Sequence, residues 1–209
     1  MKNHPPIKHI WFDFSDTIGR IDRGDVYKNI LYGSYAKEVG KEVNDALKKE
    51  YEEAFKKFKS NSAVFTSLGL PAVYLADALN TVDPETLYSL TDPEIPEVIQ
   101  KLRAVLPVSI FSNNKMDTLL PALGIEIKWF THILGPDDIK KPKPDLEGFH
   151  KMVEISGVQP GEVLYVGDDV DKDLLPAIEV GITTGLLWKE SAEADFCFKG
   201  FREILDRFS

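Results

Sequence analysis

The sequence has a single cysteine, no long hydrophobic run and no excess of basic residues. Cys197 is the only cysteine among 209 residues, which excludes an intramolecular disulfide and a zinc site built from several cysteines, and favours a reducing compartment such as the cytoplasm. No stretch approaches the roughly 18 apolar residues of a membrane span. Residues 1–6 have no apolar run behind them, so a signal peptide is not predicted.

The charge balance limits the classes of partner. Asp and Glu number 34 against 25 Lys and Arg, which gives a formal net charge of −9 at pH 7. An acidic protein is repelled by nucleic acid and by anionic membranes, so neither is predicted as a partner. A small anionic substrate is compatible with this total, because the charge around a site decides binding. The sequence gives no indication of the oligomeric state.

Strand-like and helix-like patterns alternate along most of the chain. The hydrophobic fraction of 43% is enough for a proper core. Short apolar runs predict strands at 10–12, 108–111, 131–134, 163–166 and 183–188. Apolar residues at helical spacing predict helices at 94–106, 116–123, 146–156, 174–180 and 201–208. This alternation predicts an α/β fold, with a Rossmann-like parallel sheet covered by helices on both faces.

Residues 19–90 interrupt the alternation with a predominantly helical pattern. The clearest helix lies within 43–58, where apolar residues recur at helical spacing and lysines and glutamates occupy the other face. No convincing strand appears from residue 25 to about residue 90, and 18–24 are predicted to form a short hairpin or flap. We therefore predict a small helical domain at 19–90, inserted into an α/β core domain made of 1–18 and 91–209.

Polar residues that could carry chemistry follow the predicted strands. Asp13 stands directly after the first strand, at the end where open α/β sheets place ligand sites. Because parallel strands run in one direction, polar groups at their carboxyl ends meet at one edge of the sheet. The loop that carries Lys143 could reach the same edge. The residues that share this placement are Asp13, Ser112, Asn113, Lys143, Asp168, Asp169 and Asp173.

The four aspartates of this group need a compensating cation. Crowded together, they would repel one another and resist ionisation. Mg²⁺, a hard cation that prefers carboxylate and phosphate oxygens, would relieve the repulsion, and Lys143 would add a fixed positive charge. Ser112 and the amides that open the next helix offer donors to an anionic oxygen. An alternative role for Asp173 is to cap the helix that follows it.

These residues fall into four motifs that resemble those of the haloacid dehalogenase-like (HAD) hydrolase superfamily across nearly the whole chain. Asp13–Thr17 (DFSDT) is similar to the family's D-x-D-x-T, and the strand ending in Ser112-Asn113 is similar to its second motif. Lys143, before a proline and a helix, resembles the third. Gly167–Asp173 (GDDVDKD) resembles the fourth, G-D-x-x-x-x-D. Four motifs in the family's order and spacing make a specific resemblance.

The resemblance implies a cap domain, a Mg²⁺ cofactor and an aspartyl-phosphate mechanism. The insert at 19–90 resembles the helical cap of one large branch of the family. Asp13 would attack the substrate phosphorus and, with Asp168 and the backbone carbonyl of Ser15, would bind Mg²⁺. Lys143 would neutralise and orient Asp13 and the substrate anion. Water would then hydrolyse the covalent intermediate.

The remaining motif residues would support this chemistry. Ser112-Asn113 would contribute a hydrogen bond from Ser112 to a phosphoryl oxygen. Asp169 and Asp173 would be further metal ligands, or carboxylates that support the ligands without binding the metal themselves. Lys141 competes with Lys143 as the motif lysine, because the pair stands in the sequence KPKP. Lys143 is preferred, since the residues that follow it and its interval to the fourth motif match the family.

One position departs from the family's phosphatases. They carry a second Asp two residues after the nucleophile, which protonates the leaving group and later activates water; here that residue is Ser15. General acid–base catalysis of this kind contributes about 10²–10⁴ in rate. Asp16 is the neighbouring carboxylate and an alternative acid, but strand alternation predicts that it points to the other side.

Three functions are compatible with Ser15. The first is a Mg²⁺-dependent phosphohydrolase for a small phosphorylated metabolite, most competent on acyl or aryl phosphates, whose leaving groups need little protonation. The second is a hydrolase of the haloacid dehalogenase type, since halide leaves without a proton; Arg20 or Arg23 would then help to bind a carboxylate. The third is a catalytically weakened protein that keeps a phosphate and Mg²⁺ pocket. We expect the first.

Overall fold

The computed structural model describes residues 5–209. Residues 1–4 lie outside the described part. Two predictions include them: the absence of a signal peptide at the start of the sequence, and the core segment 1–18. Among the described residues, no helix combines the length and the apolar character that crossing a membrane requires.

Strands and helices alternate over most of the described chain. The strands are β1 (His9–Phe12), β2 (Gly19–Ile21), β3 (Tyr88–Leu90), β4 (Val108–Phe111), β5 (Ile133–Leu134), β6 (Val163–Gly167), β7 (Thr183–Leu187) and β8 (Phe196–Phe198). The α-helices are α1 (Gly24–Val39), α2 (Asp45–Phe58), α3 (Asn61–Ser67), α4 (Tyr74–Leu79), α5 (Pro84–Leu87), α6 (Ile95–Leu102), α7 (Met116–Ala122), α8 (Glu147–Ser156), α9 (Leu175–Val180) and α10 (Phe201–Phe208). A π-helical turn, Val170–Leu174, leads into α9.

A parallel sheet of six strands, in the order β5-β4-β1-β6-β7-β8, forms the core. In the centre of the sheet, Trp11 of β1 lies opposite Ser109 of β4 on one side and Tyr165 of β6 on the other. All the neighbouring pairs are parallel, so the carboxyl ends of the strands share one edge. The predicted α/β fold with a Rossmann-like parallel sheet is confirmed.

Helices cover both faces of the sheet, which explains the continuous apolar run of β1. Ile10 and Phe12 belong to a core cluster that includes residues of α6 and α10, while Trp11 belongs to a second cluster with residues of α8 and α9. All three side chains are completely buried. Full burial of a large apolar side chain contributes about 1.5–3 kcal/mol, so a polar residue in β1 would be costly on either face. The strand is thereby fixed, and Asp13 with it.

Residues 19–90 hold the helices α1–α5 and a short antiparallel ribbon that the sequence did not reveal. β2 pairs with β3, and Arg20 lies opposite Ser89, 69 residues further along the chain. The local hairpin, one of the two alternatives predicted at 18–24, and the expected lack of strands from residue 25 to about residue 90 were therefore wrong. The turn signal at Gly24 begins α1 instead of a returning strand. At the foot of the ribbon, the Thr91 backbone N–H donates to Ile18 O at 3.0 Å.

Two smaller differences concern short elements. β8 was not predicted, because its three residues are too few to show a strand period, yet it extends the sheet beside β7. The strand predicted at 131–134 shortens to Ile133–Leu134, and the helix predicted at 94–106 shortens to Ile95–Leu102. None of these differences changes the edge of the sheet where the motifs end.

Candidate active site

Asp13 and Lys143 form an ion pair at the carboxyl edge of the sheet. The Asp13 backbone N–H donates to Val166 O of β6 at 2.9 Å, which fixes the start of the loop after β1. Lys143 Nζ lies 2.6 Å from Asp13 Oδ1, and each residue is 1% exposed. Burying two charges is costly unless both are well paired, so this contact requires further partners.

Hydrogen bonds hold Lys143 at both ends. Its backbone N–H donates to Asn113 Oδ1 at 2.9 Å, and Asn113 Nδ2 donates to the Lys143 carbonyl at 3.2 Å. Besides Asp13 Oδ1, Nζ donates to Tyr165 Oη and to Asp173 Oδ1, each at 2.7 Å. Three bonds match the three protons of an ammonium group. Lys143 is therefore a fixed cation whose hydrogen-bonding capacity is fully used.

Lys141 occupies a different environment. Its side chain is 69% exposed, and its Nζ lies 3.4 Å from Asp145 Oδ2 on the surface. The structure thus places Lys143, and not Lys141, on Asp13. Both lysines precede a proline, so that feature does not separate them, whereas the residues after Lys143 and its interval to the fourth motif favoured Lys143.

The two residues of the second motif, Ser112 and Asn113, make different hydrogen bonds. Asn113 was predicted beside Ser112 as part of a phosphoryl-binding motif, but its amide holds the backbone of Lys143 and also donates to Ser60 Oγ at 3.2 Å. Ser112, which is fully buried, accepts from the Asn114 N–H at 3.0 Å. That bond leaves the hydroxyl proton of Ser112 for another acceptor. Its predicted bond to a phosphoryl oxygen stays a prediction.

Asp13, Asp168 and Asp173 form a compact carboxylate cluster. One oxygen of each lies within 4.8 Å of the others. Asp13 Oδ2 and Asp168 Oδ1 are buried and have no hydrogen-bond partner among the described residues, whereas buried polar atoms are nearly always bonded. A small hard dication takes carboxylate oxygens of this kind as ligands. The residues present therefore fit Mg²⁺.

The cluster shifts the pKa values of its members in different directions. Burial raises the pKa of Asp168 to about 7, and the charge of Asp13 adds to the rise. Burial and the charge of Asp173 also raise the pKa of Asp13. For Asp173 burial acts in the same sense, but the attraction of Lys143 and Lys172 outweighs it and lowers the pKa. Asp168 therefore takes up a proton far more readily than an ordinary aspartate, although the charge of Lys172 opposes the rise of its pKa.

Asp169 and Asp173 differ in their hydrogen bonds. Asp169 Oδ1 accepts from the Lys172 N–H at 2.8 Å and so caps the π-helical turn, and it lies outside the three-carboxylate cluster. The alternative in which Asp173 is the cap was wrong. Asp173 is fully buried, and its Oδ1 accepts from both Lys143 and Tyr165. Asp173 is therefore placed to orient the lysine.

The loop after β1 turns sharply at Asp16. This residue has a φ of 57°, in the left-handed region, and Trp188 Nε1 donates to its carbonyl at 2.9 Å. Asp16 lines the same cavity as Asp13 and Ser15. The expectation that strand alternation points Asp16 away was wrong, because strand geometry ends before the turn. Ser15 Oγ accepts from Asn114 Nδ2 at 2.9 Å.

A cavity of about 290 Å³ lies above these groups. Its floor is the carboxyl edge of the sheet. Its opposite wall comes from residues 19–90. This wall includes Ile21, Tyr27, Phe55, Lys59, Asn61, Leu75 and Tyr88. Asn61 Nδ2 donates to Tyr27 Oη at 2.8 Å, and Asn61 Oδ1 accepts from Tyr51 Oη at 2.7 Å, so this wall is braced by hydrogen bonds. The space suits a small metabolite.

Three residues of this site were not predicted from the sequence. Tyr165 lies inside a strand that was interpreted only as core, and Asn114 reaches Ser15 from beyond the second motif. Lys172 stands inside the fourth motif, 3.5 Å from Asp13 Oδ2. The only signal that could have singled out Lys172 was its position between predicted metal-binding aspartates, where a cation is unexpected.

Replacing Lys143 should destabilise the protein strongly. In Lys143→Met, Asp13 and Asp173 would stay buried without their shared cation, and removing one partner of a buried pair costs about 3–5 kcal/mol. We expect the free energy of unfolding in urea at pH 7.5 to fall by that amount, and the loss to shrink in acid as the carboxylates are protonated. Lys141→Met, on the surface, should change it by less than about 0.5 kcal/mol. Equal stability of the two variants would contradict the buried network.

Replacing Asp168 should stabilise the metal-free protein. Its pKa rises from 3.8 to about 7 on folding, so the folded state binds the proton more tightly and stability falls as pH rises from about 4 to 7. We expect Asp168→Asn in EDTA to unfold with a free energy about 1–3 kcal/mol higher than wild type at pH 8, and the gain to diminish towards pH 4. Asp169→Ala, which loses only a cap, should be destabilised by about 1 kcal/mol. A destabilised Asp168→Asn would mean that Asp168 is not repelled by its neighbours.

This chain resembles known proteins of one family. A family model described as haloacid dehalogenase-like hydrolase matches residues 7–181. Among curated proteins, the glyceraldehyde 3-phosphate phosphatase of Methanocaldococcus jannaschii is 31% identical over 91 residues. That match covers 40% of this chain and 40% of the relative, so less than half of the relative's length is matched.

Solved structures share the whole fold. The HAD phosphatase from Thermococcus onnurineus superposes with a TM-score of 0.70 at 20% identity, over 97% of this chain and 98% of that one. A 2-haloacid dehalogenase from Pseudomonas syringae pv. Tomato DC3000 gives a TM-score of 0.64 at 16% identity, over 97% of this chain and 100% of that one. At such identities the likeness shows the fold alone, and it does not separate phosphatases from dehalogenases.

Proposed function

Because this chain belongs to the haloacid dehalogenase-like hydrolase family and is a hydrolase, we propose that it is a Mg²⁺-dependent phosphohydrolase. It acts on a small phosphorylated metabolite through an aspartyl-phosphate on Asp13. One observation carries the proposal: Lys143 binds Asp13 Oδ1, while Asp13 Oδ2 is left without a hydrogen bond beside the cavity. The carboxylate is thus oriented and still has a free oxygen. The relative from Methanocaldococcus jannaschii, named a phosphatase, supports a phosphorylated substrate.

The metal site is part of this proposal. Asp13, Asp168 and the backbone carbonyl of Ser15 would hold Mg²⁺, with Asp169 and Asp173 as further or supporting carboxylates. When bound, the ion supplies positive charge that stabilises the phosphoryl oxygens in the transition state. The two buried, unbonded oxygens of the carboxylate cluster are the observation that supports it.

The chain's own residues account for the two chemical steps. In the first, an Asp13 oxygen attacks phosphorus and the bond to the leaving oxygen breaks, with the electron pair passing to that oxygen. Lys143 keeps its proton and holds Asp13 in place, and the Ser112 hydroxyl donates to a phosphoryl oxygen. In the second, water attacks the phosphorus of the acyl phosphate, its proton passes to a phosphoryl oxygen, and the bond from phosphorus to the Asp13 oxygen breaks. Inorganic phosphate leaves and the Asp13 carboxylate is restored.

Ser15 restricts the range of good substrates. A serine hydroxyl is not acidic enough to protonate a leaving group at neutral pH, so the leaving oxygen departs as an anion. Acyl and aryl phosphates tolerate this departure, whereas alkyl phosphates do not. We therefore propose that leaving-group acidity governs the rate.

We also propose that 19–90 acts as a cap domain on the core formed by 1–18 and 91–209, hinged at the β2–β3 ribbon. Its residues form the cavity wall opposite Asp13, so they would contact the part of the substrate that leaves. Enclosure of the site would keep bulk water away from the reacting group.

The dehalogenase alternative receives no support from the arginines it needs. Arg23 is bound by Asp25 at 3.0 Å, Arg20 donates to Ser89 Oγ at 3.3 Å, and both side chains are more than half exposed. Neither belongs to the residues that line the cavity beside Asp13.

One set of assays tests the proposed function. Purified protein is given acetyl phosphate, p-nitrophenyl phosphate or a 2-haloacid, each with Mg²⁺ and with EDTA. We expect phosphate release from the first two that requires Mg²⁺. Metal-independent halide release would establish the dehalogenase alternative instead. Absence of turnover, with retained binding of phosphate or Mg²⁺ by calorimetry, would show a binding protein.

A further inference from the structure

A second lysine, Lys172, stands at the carboxylate cluster and has no part in the proposed chemistry. Its Nζ lies 3.5 Å from Asp13 Oδ2 and 3.8 Å from Asp173 Oδ2, and its side chain is only 19% exposed. The π-helical turn places it there, because Asp169 Oδ1 accepts from the Lys172 backbone N–H. A lysine so deeply placed is normally paired, and the carboxylate cluster supplies its only close anions that the structure records.

The two lysines of the site act on different oxygens. Lys143 hydrogen-bonds Oδ1 of both Asp13 and Asp173, whereas Lys172 approaches Oδ2 of the same two residues. The distance of 3.5 Å to Asp13 Oδ2 is too long for a hydrogen bond, and that oxygen is unbonded. Lys172 is therefore a counter-ion held near the oxygen by charge, without a directional bond.

The same oxygen is the one that a metal ion would use. Asp13 Oδ1 is committed to Lys143, so Oδ2 is the free oxygen of Asp13, and Asp168 Oδ1 is the other unbonded oxygen of the cluster. When all three carboxylates are ionised, the two ammonium groups leave the cluster with one net negative charge. A dication that binds there must share Asp13 Oδ2 with the Lys172 ammonium, and like charges a few ångström apart repel strongly at a partly buried site.

We propose that Lys172 competes with Mg²⁺: its ammonium offsets part of the negative charge of the carboxylate cluster in the metal-free protein and weakens the binding of the ion. This inference rests on the metal site of the proposed function. Metal binding displaces the ammonium from Asp13 Oδ2 towards the cavity, which Lys172 also lines. Mg²⁺ occupancy is thereby set by the competition of two cations for one oxygen.

The competition predicts opposite effects of one substitution on metal affinity and on stability. Lys172→Met removes the repulsion, so we expect Mg²⁺ to bind at least about tenfold more tightly to EDTA-stripped protein in isothermal titration calorimetry. The same variant loses the counter-ion of the cluster, so its melting temperature without metal should fall by several degrees. A residue that merely supported the fold would lower the melting temperature without tightening metal binding.

Controls separate charge from side-chain shape and from net charge. Lys172→Arg keeps the cation and should bind Mg²⁺ within about threefold of wild type, while Lys172→Gln repeats the test should the Met variant fold poorly. Lys101→Met, on the exposed face of α6 beside Glu97, changes net charge equally and should leave the affinity unchanged. Equal or weaker Mg²⁺ binding by both Lys172→Met and Lys172→Gln would overturn the role of Lys172 alone. Binding of Mg²⁺ to neither wild type nor variants would overturn the metal site as well.

Discussion

The Asp13→Asn variant should lose at least about 10³-fold in kcat on acetyl phosphate with saturating Mg²⁺. The substitution nearly preserves the shape of the side chain, and the amide oxygen can still accept from Lys143, but an amide is not a nucleophile towards phosphorus. Removal of a catalytic nucleophile typically costs this much or more. The rate is measured as phosphate release in steady state, with the protein first shown to be folded by circular dichroism.

Two further observations sharpen the test of Asp13. Asp206→Asn, at an exposed position of α10, makes the same chemical change and should keep the wild-type rate. A pre-steady-state burst of p-nitrophenol from p-nitrophenyl phosphate, when dephosphorylation is slow, should be seen in wild type and not in Asp13→Asn. A variant that retained more than about a tenth of the activity would show that hydrolysis does not pass through this carboxylate.

The Ser15→Asp variant should gain activity on alkyl phosphates by about 10²-fold or more, within the range of 10²–10⁴ that general acid–base catalysis contributes. Ser15 lines the cavity and is bonded to Asn114, so a carboxyl group there would lie in the site. The gain should be large for glycerol phosphate, whose alkoxide leaving group needs a proton. It should be small for acetyl phosphate, whose leaving group does not.

Ser15→Asn is the matched control for this gain. It has nearly the same size as the Asp variant and no transferable acidic proton, so we expect no gain on either substrate. Comparing kcat/KM for both substrates separates acid catalysis from tighter binding, because binding alone would improve both. Equal rates for the Asp and Asn variants would show that the missing acid does not limit the rate of the enzyme. Asp16, which lines the same cavity, would then be the alternative acid to test.

The buried strands and the four motifs could be predicted from the sequence because their signals are local. An apolar run such as Ile10–Phe12 indicates a strand that is buried on both faces. The order of strands and helices is enough to place Asp13 and Asp168 at the same edge of a parallel sheet. Even Ser15 was identifiable as a departure, since its meaning depends only on its distance from Asp13.

The contacts between distant segments were decided by the tertiary structure alone. The pairing of β2 with β3, the hydrogen bonds of Lys143 to Tyr165 and Asp173, and the position of Lys172 beside Asp13 all depend on which surfaces meet after folding, and no periodicity in the sequence encodes them. The sequence determined the sheet, its motifs and the missing acid. The fold decided which lysine binds which oxygen, because charges interact through distances in space and not through spacing along the chain.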